Sequence, residues 1–311
     1  MVSFLLAVNS GKLKSFLDKW GLLCGIALAL IVIGVLVAVW LILKKNKQEE
    51  PSSDTNPNGS LGSMDNGFFR IEVGNCQGLG ERDEQQDAFG FSPNAKWKDK
   101  GFLAVLCDGM GGLDSGAVIS NKLVSDVIKE FPYSFEELKD GWIIDSLSAD
   151  IYSNYYGRGG TTLIITFLKG DKLWFASVGD SDLLLYREGR IYAMNQRQEY
   201  GNNLLMKVVD DALSMEQVIG NSDAPALTEY MGAQHAEADY SIRPWQVKEG
   251  DVYLLCSDGV SDTLTFDEIR EAMSHDASEC AELLEKGIIE KNKRFQDNYT
   301  AIVFSIKRVE V

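Results

Sequence analysis

The sequence predicts an α+β fold of layered antiparallel sheets and helices, with one N-terminal transmembrane helix ahead of it. Three observations carry this. Short β-like runs follow one another through Gly- and Asn-containing turns instead of alternating strictly with helices, which favours hairpins over a doubly wound parallel sheet. Stretches of helical periodicity separate groups of those runs. An uncharged apolar run covers residues 21–43.

That run of about 23 residues is long enough, at ~1.5 Å per residue, to cross a ~30 Å hydrocarbon layer. A signal peptide is the competing reading, but the run exceeds a usual signal core and no Ala-x-Ala cleavage site follows it. Lys12, Lys14 and Lys19 precede the span and Lys44, Lys45 and Lys47 follow it, so the positive-inside rule gives no orientation. Residues 1–20 form a segment before the anchor. Residues 44–66 are polar, rich in Lys, Gln, Ser, Asn and Gly, and are expected to be a flexible linker.

The folded domain is expected over 67–309. Residues 68–73, 88–91 and 102–107 read as strands. Residues 115–131 carry Val118, Ile119, Leu123, Val124, Val127 and Ile128 at helical spacing. A second helix is expected over 135–156, interrupted at Gly141. Four closely spaced runs at 161–168, 172–178, 183–187 and 190–193 read as one antiparallel meander with turns at Gly170-Asp171 and Glu188-Gly189. Helices are expected at 202–219, 267–274 and 277–291, with a last strand at 299–306.

Composition narrows the function. With 46 acidic against 30 basic residues and a net charge of −16, the chain lacks the basic surface that nucleic-acid binding requires. Five cysteines show no Cys-x-x-Cys pair and no disulfide framework, which fits a reducing compartment.

Chemistry enters at the strand ends. Phe102-Leu-Ala-Val-Leu-Cys107 stops on Asp108-Gly109, Trp174-Phe-Ala-Ser-Val178 stops near Asp180-Ser181, and Val252-Tyr-Leu-Leu-Cys256 stops near Asp258-Gly259. Asp297-Asn298 opens the last run. One Asp-Gly after a strand is usually only a turn. Several carboxylates delivered by buried strands repel one another unless a cation sits among them, so the set points to a metal. Two divalent ions sharing a carboxylate can activate a water near neutral pH and clamp a phosphoryl group. The two histidines, His235 and His275, lie away from the acidic strand ends, which disfavours zinc. Arg82, five residues before Asp87, offers a guanidinium for phosphate oxygens; alone it could equally be a solvated loop charge.

Seven ordered motifs then resemble one family. They are Arg82-Asp-Glu-Gln-Gln-Asp87, Ala104-Val-Leu-Cys-Asp108-Gly-Met-Gly-Gly112, Gly159-Gly-Thr-Thr162, Ala176-Ser-Val-Gly-Asp180-Ser181, Ala226-Leu-Thr-Glu-Tyr-Met-Gly232, Leu255-Cys-Ser-Asp258-Gly259 and Asp297-Asn-Tyr-Thr-Ala-Ile302. Together they resemble the metal-dependent protein phosphatases of the protein phosphatase 2C type, in their bacterial branch. The resemblance implies an α-β-β-α four-layer sandwich with Mn²⁺ or Mg²⁺ at one end. Asp108 would bridge two ions, with the Gly109 carbonyl, Asp258, Asp297 and Asp87 as further ligands. Asp180 with Asp258 would match a third, weaker site, and Arg82 the phosphate-binding arginine. The nucleophile would be metal-bridging water, and the partners phosphoserine and phosphothreonine proteins with a cognate Ser/Thr kinase. Such substrates place the domain in the cytoplasm, at the cell membrane.

The chain departs from the family pattern at Gln86, where some relatives carry glutamate, at Leu113, where some have a histidine proposed to protonate the leaving group, and at Asp182, where arginine is frequent. Without the histidine, metal-bound water would have to protonate the leaving group. None of the three removes a principal ligand. A second class, a membrane-tethered pseudophosphatase binding phosphoproteins, would be marked by a lost ligand. Cys76-Gln-Gly-Leu-Gly-Glu-Arg82 also satisfies Cys-x5-Arg, the loop of cysteine-dependent phosphatases, but Asp83 follows the arginine and the acidic neighbours would raise the thiol pKa.

Overall fold

The computed structural model of the protein describes residues 59–65, 68–111, 115–138 and 142–309. The expected segment 1–20, the span 21–43 and most of the linker lie outside the described residues, as does Leu113. Among the described residues no helix is long and apolar enough to cross a membrane.

Two antiparallel sheets face each other. The first runs β1 (Gly59–Asp65), β2 (Phe69–Gly78), β13 (Tyr299–Arg308), β12 (Val252–Cys256), β8 (Asp182–Arg187) and β9 (Arg190–Ala193). The second runs β10 (Asp239–Tyr240), β7 (Lys172–Val178), β6 (Leu163–Lys169), β4 (Phe102–Met110) and β3 (Asp87–Phe91), with β5 (Gly160–Thr161) on β4 and β11 (Trp245–Gln246) on β7.

Strand alternation divides the apolar residues into three layers. Along β4, Phe102, Ala104 and Leu106 point between the sheets, where they meet Tyr253, Leu255, Ile302 and Phe304. Leu103, Val105 and Cys107 point the other way, onto α1 (Ser115–Glu130) and α2 (Trp142–Tyr155), through Ile119, Leu123, Ile143 and Ile151. On the far side, Leu254, Cys256, Ala301 and Val303 pack under Ile269, Cys280, Leu284 and Ile288, which belong to the helices after β12. This is the α-β-β-α sandwich that the motifs implied. Because β4 and β12 both carry apolar side chains on two faces, they are central strands, and their ends are held firmly.

The structure corrects four expectations. Residues 59–65, read as part of the flexible linker, form β1, paired antiparallel with β2 from Gly59↔Asn75 to Asp65↔Arg70; an edge strand is held by backbone hydrogen bonds and needs no apolar pattern. The four runs after Gly160 are not one meander. The β6–β7 hairpin belongs to one sheet and the β8–β9 hairpin to the other. The chain changes sheets at Gly179, whose φ of +103° is in the left-handed region and whose missing Cβ would sit 2.7 Å from Thr162 Cγ2. The helix expected at 202–219 splits into α3 (Tyr200–Val209) and α4 (Met215–Ile219), because Asp211 takes φ 57° and Ser214 opens a new capping box with Gln217. Asp258-Gly259 is not a turn: it begins the short helix α5 (Asp258–Ser261). Beyond it lie α6 (Phe266–Ala272) and α7 (Ala277–Lys291), the latter with the bounds that its periodicity predicted.

Candidate active site

The ends of β4, β7 and β12 and the start of β13 open on one cavity of about 630 Å³, lined among others by Arg82, Asp108, Gly109, Asp180, Asp258 and Asp297. Asp87 lies buried beside it. It faces Asp108 directly across the β3–β4 ladder.

Asp108 is fixed through its backbone. Its N–H donates to Thr162 Oγ1 at 2.9 Å, and its carbonyl accepts from Thr162 N and Thr161 Oγ1, both at 2.8 Å. Asp87 is fixed through its side chain: Oδ2 accepts from Ser257 Oγ at 2.8 Å and Thr300 Oγ1 at 2.7 Å. Those hydroxyls come from the opposite sheet, so Asp87 ties the two sheets together at the site. The Gly109 N–H donates to the Gln86 carbonyl at 3.1 Å, which also accepts from Ser120 Oγ.

The other wall is more open. Arg82 Nη2 meets Asp297 Oδ2 at 2.5 Å, with the two side chains 58% and 40% exposed. Gly80 allows this approach: its φ is +61°, and a Cβ there would lie 2.3 Å from the Asp297 carbonyl oxygen. Asn298 braces the loop, accepting from Gln86 N and donating to the Leu79 carbonyl.

Electrostatics follow from burial and crowding. Burial first, then neighbouring Asp258 and Asp297, raises Asp87 to about 7 against the pull of the Thr300 and Ser257 hydroxyls. Burial, then Asp87, Asp258, Asp180 and Asp297, holds Asp108 well above the usual carboxylate range. Burial and then Asp258 push Asp180 to about 7, and burial with Asp262 and Asp297 pushes Asp258 to about 6. Carboxylates held close together and raised in this way are short of positive charge.

Two carboxylate oxygens, Asp87 Oδ1 and Asp258 Oδ1, are buried without a hydrogen-bond partner. An unpartnered buried carboxylate oxygen is costly unless a cation completes it. Among the described residues no three Asp, Glu, His or Cys side chains form a ready-made metal cage. The donors at the site are all oxygens, which suits hard divalent ions that take carboxylates and a backbone carbonyl.

Cys76 is excluded from chemistry here. It is 1% exposed, packs in the layer under α7, and burial with Glu285 pushes its thiol up to about 12. His275 pairs with Glu279 on the surface at 3.2 Å. Sequence reasoning passed over Ser257, Thr300, Thr162, Asn298 and Arg197. The first four were hidden inside the recognised motifs. For Arg197 the signal was Asp182, an acidic residue where arginine is frequent, which needed a cation from elsewhere.

Comparison with known proteins gives the family and the fold. The profile of the family described as protein phosphatase 2C matches residues 80–291. The chain is similar to the serine/threonine protein phosphatase PstP of Mycobacterium tuberculosis, 26% identical over 183 residues, covering 55% of this chain and 34% of that protein; it thus spans about a third of that relative's length. The structure resembles the S. agalactiae serine/threonine phosphatase, with a TM-score of 0.65 at 24% identity over 76% of this chain and all of that one. It also resembles the catalytic domain of PstP in complex with two manganese ions, with a TM-score of 0.60 at 22% identity over 76% of this chain and 98% of that one. The chain belongs to the protein phosphatase 2C family.

Proposed function

We propose that the protein is a serine/threonine protein phosphatase dependent on Mn²⁺ or Mg²⁺, tethered to the membrane by the apolar run 21–43 with its catalytic domain on the cytoplasmic side. The observation that carries the reading is the convergence of Asp87, Asp108, Asp180, Asp258 and Asp297 on one site with two buried carboxylate oxygens unpartnered. Family membership and the manganese complex of the PstP domain support it.

The residues divide the work. Asp108, the Gly109 carbonyl, Asp87, Asp258 and Asp297 would hold two ions, and Asp180 with Asp258 a third. When bound, these ions supply a water acidic enough to attack phosphorus near neutral pH and neutralise the phosphoryl oxygens. Arg82, on the exposed rim, binds and orients the phosphate of a phosphoserine or phosphothreonine through its planar fork. The Arg82–Asp297 pair holds the guanidinium at the exposed rim of the cavity, beside a carboxylate that would hold an ion. The backbone bonds to Thr161 and Thr162 and the hydroxyls on Asp87 keep the carboxylates oriented, so little reorganisation accompanies the reaction. A Ser/Thr kinase producing these phosphoproteins is the implied counterpart.

The test is hydrolysis of a phosphothreonine peptide by the full chain in detergent. Activity with Mn²⁺ or Mg²⁺ that EDTA removes and Mn²⁺ restores is expected; binding of the peptide without hydrolysis under either metal would favour a phosphoprotein-binding module instead. A soluble fragment for this assay has to begin before Gly59, because β1 completes the edge of the first sheet.

A further inference from the structure

Arg197 lies between the two segments that deliver Asp180 and Asp258. Its own stretch of backbone is laced to both flanks of Asp180. Gln198 N–H donates to the Gly179 carbonyl at 2.9 Å, and Gly179 N–H donates to Gln198 Oε1 at 2.7 Å. On the other flank, Asn195 Nδ2 donates to the Ser181 carbonyl at 2.9 Å. The side chain then reaches across to α5. Arg197 Nη2 donates to Ser261 Oγ at 2.8 Å, and Nη1 meets Asp262 Oδ1 at 3.2 Å. Nε faces both Asp182 oxygens at 3.2 Å, and Nη1 also donates to Glu199 Oε1 at 2.9 Å.

The β8–β12 ladder ends at the pair Asp182↔Cys256. Past that point both strands end, and Asp180 stands in the sheet-changing turn and Asp258 in a one-turn helix. The guanidinium links these two segments: its Nε edge holds Asp182 and its terminal nitrogens hold Ser261 and Asp262 at the end of α5. A planar fork with five donors can do both at once, whereas a lysine ammonium is a point charge on a flexible stem. Glu199 also begins α3, so the same side chain anchors the base of the 200–227 excursion, whose Leu227 lines the cavity.

We propose that Arg197 is a positioning residue that sets the spacing of Asp180 and Asp258, and with it the affinity of the cation they share. This rests on the metal-dependent reading above. The test is Mn²⁺ titration of the full chain in detergent, following the EPR signal of free Mn²⁺, alongside thermal melting and peptide hydrolysis. Arg197→Gln should weaken the weakest Mn²⁺ site by up to about tenfold, the lower end of the loss seen for groups bonded directly to a ligand, and Arg197→Lys should fall between it and the parent. Parent-like Mn²⁺ affinity at every site in Arg197→Gln, with only a lower melting temperature, would reduce Arg197 to a structural clamp and overturn the proposal. If Arg197→Gln does not fold, Ser261→Ala removes the acceptor for Arg197 Nη2 on α5 without changing any charge; a weakened site supports the proposal and an unchanged one sinks it. A parent chain that binds Mn²⁺ but fails to hydrolyse the peptide would count against the phosphatase reading and leave the affinity shift as the measure of Arg197.

Discussion

The two walls of the site are built differently. On the second sheet, Asp87 and Asp108 sit opposite each other in a ladder, and Asp87 is 3% exposed with two hydroxyls on one oxygen. On the first sheet, Asp258 stands in the first turn of a four-residue helix, and Asp297 lies in a loop with its side chain 40% exposed against Arg82. One wall has its geometry dictated by strand pairing; the other is set by side-chain contacts at the rim. In the proposed enzyme the buried wall would hold its carboxylates fixed by the fold, and the exposed Arg82–Asp297 pair would meet the phosphate at the rim.

The comparison is broken most severely at the buried wall. Asp108→Asn keeps the shape and the backbone bonds to Thr161 and Thr162 but removes the shared charge, and should lower kcat by ~10³-fold or more. The metal-free variant should melt at a higher temperature than the parent, since one of several crowded carboxylates has been neutralised. Asp258→Asn should also abolish activity while leaving the fold intact. Steady-state kinetics and thermal melts read both effects, and full activity in either variant would refute the assignment.

Much of this was legible beforehand because strand ends are local. An apolar run of alternating environment, followed by Asp-Gly or Asp-Ser, marks both the strand and the carboxylate it delivers, so Asp108, Asp180 and Asp258 could be singled out and β12 placed to the residue. Sheet membership was not legible. Nothing between Val178 and Leu183 states that the chain crosses to the other sheet; that depends on Gly179 closing over Thr162. Nor could the support of Asp87 be read, because Ser257 and Thr300 are 170 and 213 residues away in sequence. β1 escaped for a different reason: its pairing is made by backbone groups that every residue carries.

The pH dependence of stability sharpens the same contrast. Asp87 at about 7, Asp180 at about 7 and Asp258 at about 6 lie above the ordinary carboxylate value of ~4. The folded state therefore binds more protons than the unfolded state between those limits, and stability falls as pH rises through the window. Metal-free protein should melt ~5 °C or more higher at pH 5.5 than at pH 8. Glu268, lowered to about 2 by Lys291 first, acts only below this window. Saturating Mn²⁺ should flatten or reverse the slope, because protons and cations compete for the same oxygens. A metal-free melting temperature independent of pH would mean that the site is not short of positive charge.

The smallest effect expected is at the contact between the walls. Ser257 occupies the N-cap position of α5, yet its hydroxyl makes no cap bond to that helix and instead donates to Asp87 Oδ2 and accepts from Thr300 N–H at 3.0 Å. A serine at an N-cap ordinarily stabilises its own helix; here the hydroxyl is committed to the opposite sheet. Ser257→Ala leaves Asp87 Oδ2 with Thr300 alone and should weaken Mn²⁺ binding roughly tenfold, in the range typical of outer-shell partners. Ser257→Thr keeps the hydroxyl and should recover most of that loss. A fall in melting temperature without any change in Mn²⁺ affinity would show that the hydroxyl joins the sheets but does not orient Asp87, and that the buried wall keeps its geometry from strand pairing alone.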